Sequence, residues 1–228
     1  MTMFYTRILF LFLVFISFLG ISQNNIDVYS LPKVSLNHKV SSTYKVNFFA
    51  TARQQLYDSS NLTFNQNQIE IGHFSTVKIT PKFDLSFGLR YTNESWFEDR
   101  KANELRLTEQ LNFKSIKSYV RFGHRLRLEQ RIYEDNIAHR FRYRTAIDLP
   151  LVGQKLDVNE TYLIGTSELL HTIENNSKPR LDIRLATQIG WLKSSSLRLQ
   201  FGIEHRFSRI NSETRHQSYF LSTLITSL

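Results

Sequence analysis

Arginine recurs at alternate positions through HRLRLEQRIYEDNIAHRFRYR, residues 124 to 144. Arg125, Arg127 and Arg131 hold odd positions before the break, and Arg140, Arg142 and Arg144 hold even positions after it. A guanidinium group keeps its charge at every accessible pH, and its planar fork grips carboxylate or phosphate through two parallel hydrogen bonds. A row of such groups does one of two things. It pairs with carboxylates in a ladder that fills an interior, or it draws anionic solutes into a passage. Elsewhere Arg121, Arg180, Arg184, Arg198 and Arg206 extend the row, and Glu129, Asp182 and Glu204 fall on the same face. Glu104 and Asp148 share it.

Other chemistry is poorly served. The absence of cysteine removes disulfides, thiolate zinc sites and cysteine nucleophiles. Histidines stand at 38, 73, 124, 139, 171, 205 and 216, and those at 73, 124, 139 and 205 share the apolar parity of their segments. His171 and His216 fall in or beside polar stretches with Ser167, Ser208, Ser212 and Ser218 nearby. A hydrolase at a barrel rim needs a serine, a histidine and an orienting group of this kind. Serine is so common here that rim polarity accounts for the coincidence, and no catalytic residue is assigned. Glu168 and His171, three apart, lie in an expected loop. No close histidine pair, calcium loop or phosphate-binding glycine loop occurs, so neither metal nor cofactor is expected.

The elements that position the arginines follow from a period of two. Alternation marks 45–53, 83–91, 104–113, 119–132, 139–149, 180–191 and 197–207, with weaker runs at 34–40, 69–79, 156–164 and 216–228. These are strands with one apolar and one polar face. Between them, short connections near 42, 81, 116, 150 and 195 alternate with longer polar ones near 62, 97, 134, 173 and 211. Ahead of them, Arg7 precedes an apolar run over 8–21 that ends in Gly20-Ile21-Ser22. This reads as a cleaved secretory signal, residues 1–22, and is too short for a spanning helix. The expectation is an all-β, antiparallel up-and-down transmembrane barrel of about 10–12 strands over residues 23–228.

Which face points outward decides the location. About eleven strands enclosing an apolar interior would leave a large greasy void, whereas lipid outside and water with paired charges inside leave none. The alternative is a soluble periplasmic barrel that binds an apolar ligand. Lys plus Arg exceed Asp plus Glu by nine, yet a secreted chain of this pattern is not expected to meet nucleic acid. Two hairpin registers that put opposite charges together set Glu129 across from Arg140 and Lys78 across from Asp84. A third sets Arg184 across from Glu204 and Asp182 across from Arg206. Odd strand numbers are unusual in bacterial barrels, and residues 24–32 offer only a short twelfth candidate containing Pro32.

The arginine hairpin, with Arg127, Glu129, Arg131, Arg140, Arg142, Arg144 and the following Pro150, together with Glu160, Tyr162 and Glu168, resembles the domain of unknown function 2490 family. The resemblance covers most of the chain after the signal. It implies a secreted protein of Gram-negative bacteria, mainly Bacteroidota, regarded as an outer-membrane barrel, and it implies no activity. The C-terminal run HQSYFLSTLITSL places Phe220, Leu224 and Leu228 on one parity, and an apolar C-terminal strand is what barrel assembly machinery recognises, although the final Leu228 and the intervening Ser222 and Thr226 depart from the usual aromatic-ended pattern. Tyr57, Tyr91, Trp96, Phe97, Tyr133 and Trp191 lie near strand ends, where interfacial aromatics sit. The expected role is non-enzymatic: a structural envelope protein or a narrow pore for small anionic solutes, with outer-membrane lipid as its surroundings. An outer-membrane lipid-modifying hydrolase is the alternative.

Overall fold

The computed structural model describes residues 26–58, 61–94, 103–117, 119–175 and 177–228. The expected signal segment and the aromatics Trp96 and Phe97 lie outside these residues. Among the described residues, eleven strands close into one barrel. They are β1 (Ile26–Lys39), β2 (Tyr44–Asp58), β3 (Asn61–Lys78), β4 (Phe83–Asn93), β5 (Glu104–Lys117) and β6 (Val120–Ile132). Then follow β7 (Ile137–Pro150), β8 (Thr161–Glu174), β9 (Arg180–Leu192), β10 (Leu197–Ser208) and β11 (Arg215–Ser227).

The alternating runs form strands because their two parities meet two different surroundings. Phe48, Phe87, Leu128, Ile189, Phe201, Ile203 and Phe220 point outward and are exposed. Glu104, Arg106, Glu129, Arg140, Arg142, Glu168 and Asp182 point inward and are buried. The usual globular arrangement is inverted, with oil outside and charge inside.

Sequential strands pair antiparallel around the ring, and the wall closes on a parallel pair. There β1 runs beside β11, with Ile26 opposite His216 at one end and Asn37 opposite Ser227 at the other. An up-and-down chain with an odd number of strands must close this way, because its first and last strands run in the same direction. No twelfth strand is needed: residues 26–32 are the first half of β1. Pro32 is tolerated because the β1–β2 ladder skips Leu31 and Pro32, between Ser30–Gln54 and Lys33–Thr51.

Two expectations about connections need correction. The strand ends Asp58 and Asn61, Asn93 and Glu104, Ile132 and Ile137, Glu174 and Arg180, and Ser208 and Arg215 stand at the upper rim; Lys39 and Tyr44, Lys78 and Phe83, Lys117 and Val120, Pro150 and Thr161, and Leu192 and Leu197 stand at the lower. The polar stretch near 62 is therefore no loop. β2 and β3 run on to Asp58 and Asn61, projecting above β4, whose pairing with β3 starts at Ile69. The stretch near 150 is a ten-residue connection rather than a tight turn. β8 is correspondingly displaced from the expected 156–164 and holds Glu168 and His171 within its wall.

Candidate functional site

Every arginine, aspartate and glutamate proposed for the inner face has inward parity, but their surroundings differ. Arg121 and Arg198 sit low in the wall. Arg121 donates from Nη2 to both carboxylate oxygens of Asp148, at 2.8 Å each. Arg198 is exposed at the lower rim. Apart from Asp148, which stays with Arg121, the others gather in the upper and middle lumen. There they line a cavity of about 700 Å³ or pack directly behind its wall.

The wall made by β5 to β8 is a dense charge ladder. Glu129 accepts hydrogen bonds from Arg127 at 3.4 Å and from Arg142 at 2.8 Å, and Arg106 stands 3.9 Å away. Arg142 also donates to Glu168 at 2.6 Å, and Arg184 approaches Glu168 at 4.0 Å. Higher up, Glu104 receives Arg106, Arg131 and the Tyr133 hydroxyl. Arg140 donates to the Thr172 hydroxyl at 2.8 Å. Glu104 and Glu129 are at most 1% exposed, so each carboxylate has exchanged its water for guanidinium groups. Hydrogen bonds must offset the cost of burying such charges; Glu129 Oε2 has none, with Arg106 3.9 Å from it.

Elsewhere around the lumen two expected pairs form: Arg206 bonds Glu204 at 2.6 Å, and Arg180 lies 3.3 Å from Asp182. Groups outside the expected set join them, with Arg90 bonded to Glu70 at 2.8 Å. Arg53 stacks over Tyr29, Arg206 over Tyr219, and Lys33 over Phe49. Arg53, Arg90 and Arg106 were legible from parity alone, since each occupies a polar slot of an alternating run. Lys33 and Glu70 were harder, because their segments alternate weakly. Leu31, Leu221 and Ile225 also face the cavity, against the rule that inward positions are polar.

The charge balance of the cavity is strongly basic. Among the described residues, fifteen Lys and Arg side chains line it against five Asp and Glu; Glu104 and Glu129, packed on the same inner face, raise the acidic count to seven. Arg209, Arg215 and Glu94 mark its upper mouth. Lower on the wall, Tyr162 lies over Gly190 of β9 and accepts a hydrogen bond from Gln200 of β10 at 2.9 Å, and the cross-strand neighbours Thr76 and Ser86 meet at 3.0 Å. A smaller cavity of about 220 Å³ opens beneath them at the lower rim, with Lys45, Lys78, Asp84 and Lys114 in its lining; Thr76 belongs to both cavities.

Register confirms two of the three expected charge matches. Glu129 faces Arg140 and Lys78 faces Asp84. The β9–β10 expectation fails by two residues: Arg184 faces Arg206, and Glu204 faces Ala186. The Ser194 hydroxyl accepts hydrogen bonds from the backbone NH of Ser196 and of Leu197, and this tight turn sets the register. Arg206 finds Glu204 two residues along its own strand instead.

On the outer face near the upper rim, His205 Nδ1 lies 3.0 Å from the Ser218 hydroxyl and its Nε2 lies 3.3 Å from His216 Nδ1. His171 is apart from this row, on β8. His124 meets the Tyr143 hydroxyl at 3.0 Å, which explains a histidine at mid-strand on the apolar face. Among the described residues no cluster of three or more metal-ligating side chains occurs.

The family described as Protein of unknown function (DUF2490) matches residues 31–217. No curated protein matches the chain by sequence. Among solved structures, LpxR from Salmonella typhimurium superposes with a TM-score of 0.56 at 8% identity, covering 85% of this chain and 87% of that one. That likeness is one of fold.

Proposed function

Because the chain belongs to the DUF2490 family, whose description carries no activity, we propose a function from the geometry of the barrel. It is an outer-membrane β-barrel, non-enzymatic, whose basic lumen admits small anionic solutes from the upper rim. The observation that carries this reading is the excess of Lys and Arg around a cavity enclosed by an apolar-faced wall. Lipid is the solvent that such an exterior fits, and the apolar run at the N-terminus fits export. A soluble barrel would bear the cost of those exposed side chains in water. Inside, unpaired guanidinium groups in a confined aqueous space raise the local anion concentration and oppose cations.

Purified protein should require detergent and show heat-modifiable gel mobility. In planar bilayers under a salt gradient it should give small conductances with a reversal potential of anion-selective sign. Cation selectivity would remove the solute reading, and absence of channels would reduce the protein to a structural envelope role.

The Ser218–His205–His216 row supports a second reading, a hydrolase acting on membrane lipid. Chemistry there would lack oxyanion donors, because β11 lies between β1 and β10 and both ladders consume its backbone NH groups. Release of fatty acid from labelled phospholipid, abolished by Ser218→Ala, would establish this reading in place of the first.

A further inference from the structure

We propose that Arg125, Arg144 and Lys33 form a clamp for the phosphate of a small organic phosphomonoester. The proposal rests on the reading of the lumen as a basic, solute-accessible cavity, and it names the solute.

Arg125 and Arg144 stand directly opposite each other across β6 and β7. Like charges in that relation repel. The next pair up the ladder, Arg127 and Arg142, has the same relation, but there Glu129 and Glu168 supply the compensating charge. The lower pair is served less well: Glu168 stands opposite Arg144 across β7–β8, but its hydrogen bond goes to Arg142. Arg125 reaches only the Asn112 side-chain oxygen, at 3.4 Å, and among the described residues Arg144 has no ion pair. Lys33 adds a third cation from β1. It lines the same cavity as the two arginines and lies over the ring of Phe49, which Arg90 also covers. Three confined cations in a lumen where cations outnumber carboxylates fit an anion that enters from solution.

Charge and shape select its class. A phosphomonoester is close to a dianion at neutral pH, with three acceptor oxygens for two forks and an ammonium. A carboxylate would leave two of the three charges unbalanced. Across the ring from β6 and β7, the inner face of β1 and β11 carries Leu31 beside Leu221, with Ile225 below. That apolar patch fits the carbon substituent of the ester. The cavity volume lies inside the range of about 300–1,000 Å³ typical of small-molecule sites.

The test is titration calorimetry on the full barrel in non-ionic detergent, with phenyl phosphate as the probe. Saturable binding is expected, weaker for inorganic phosphate and absent for phenol. Arg125→Gln and Arg144→Gln should each weaken phenyl phosphate by about tenfold or more, while Arg121→Gln, low in the wall and paired to Asp148, should not. Without ligand, both variants should melt no lower than the parent, because each relieves a repulsion; an arginine that merely supports the fold would melt lower. Dioctanoyl phosphatidic acid carries the same group on a lipid. Its competing as well as phenyl phosphate would assign the clamp to a headgroup, and its failure to compete would assign it to a soluble ester. No saturable binding, or unchanged affinity in both variants, overturns the clamp. Anion-selective conductance that persists in that case leaves the lumen reading intact, whereas loss of selectivity in the parent barrel fails that reading separately.

Discussion

Arg127 and Arg142 face each other across the β6–β7 ladder, and Glu129 accepts a hydrogen bond from each. The carboxylate reconciles two guanidinium groups that would otherwise repel, with Arg106 also close by. Glu129→Ala would leave buried cations without their counter-charge. It should lower stability by about 3–5 kcal/mol, measured by urea titration of the reconstituted barrel with gel mobility as the readout. A change below about 1 kcal/mol would show the ladder to be solvated.

The orientation of the wall can be tested at Ile203, exposed on the outer face near the middle of β10. Ile203→Arg in a barrel embedded in lipid should cost about 2–4 kcal/mol, read as reduced folding into phospholipid vesicles. Arginine tolerated there without loss would mean that water covers this face.

Gly190 is the place where the Tyr162 ring lies against the backbone of β9, in the space a Cβ would take. The ring must move if a methyl group arrives, and with it the bond from Gln200. Gly190→Ala should therefore destabilise the barrel by about 1–3 kcal/mol. Adding Tyr162→Ala should recover most of that loss in unfolding titrations, a coupling that independent sites would not give.

Arg215 stands exposed at the upper mouth of the cavity and belongs to no ladder pair of charges. Arg215→Glu should shift the bilayer reversal potential toward cations and slow anion entry, with the shift largest at low salt. Folding should be unaffected. An unchanged reversal potential would place the selecting charges deeper in the lumen.

The faces of the strands were legible in the sequence because side-chain period is a local property. Arg125, Arg127 and Glu129 could be assigned to one side of β6 without knowing what β6 touches. Register was less accessible. At β9–β10 it is decided by one serine hydroxyl in a four-residue turn, which displaces Arg184 from Glu204 to Arg206. Strand ends were hidden where polarity occurs on both faces. Gln54, Gln55, Asn61 and Gln66 read as loop, yet backbone pairing asks nothing of their side chains. β8 was misplaced because Gly165, Thr166 and Ser167 interrupt its alternation. Which arginines have partners was beyond sequence altogether, since Glu168 compensates Arg142 from a different strand.

The parallel seam between β1 and β11 separates the ends of the described wall: Ile26 lies at the upper rim and Leu228 at the lower. In a bilayer, tags fused at those two points would answer to reagents on opposite sides, whereas an even-numbered barrel would present both to one compartment. Assembly in such a bilayer would have to leave Ile26 and Leu228 on opposite faces, a translocation that a simple series of hairpin insertions does not perform.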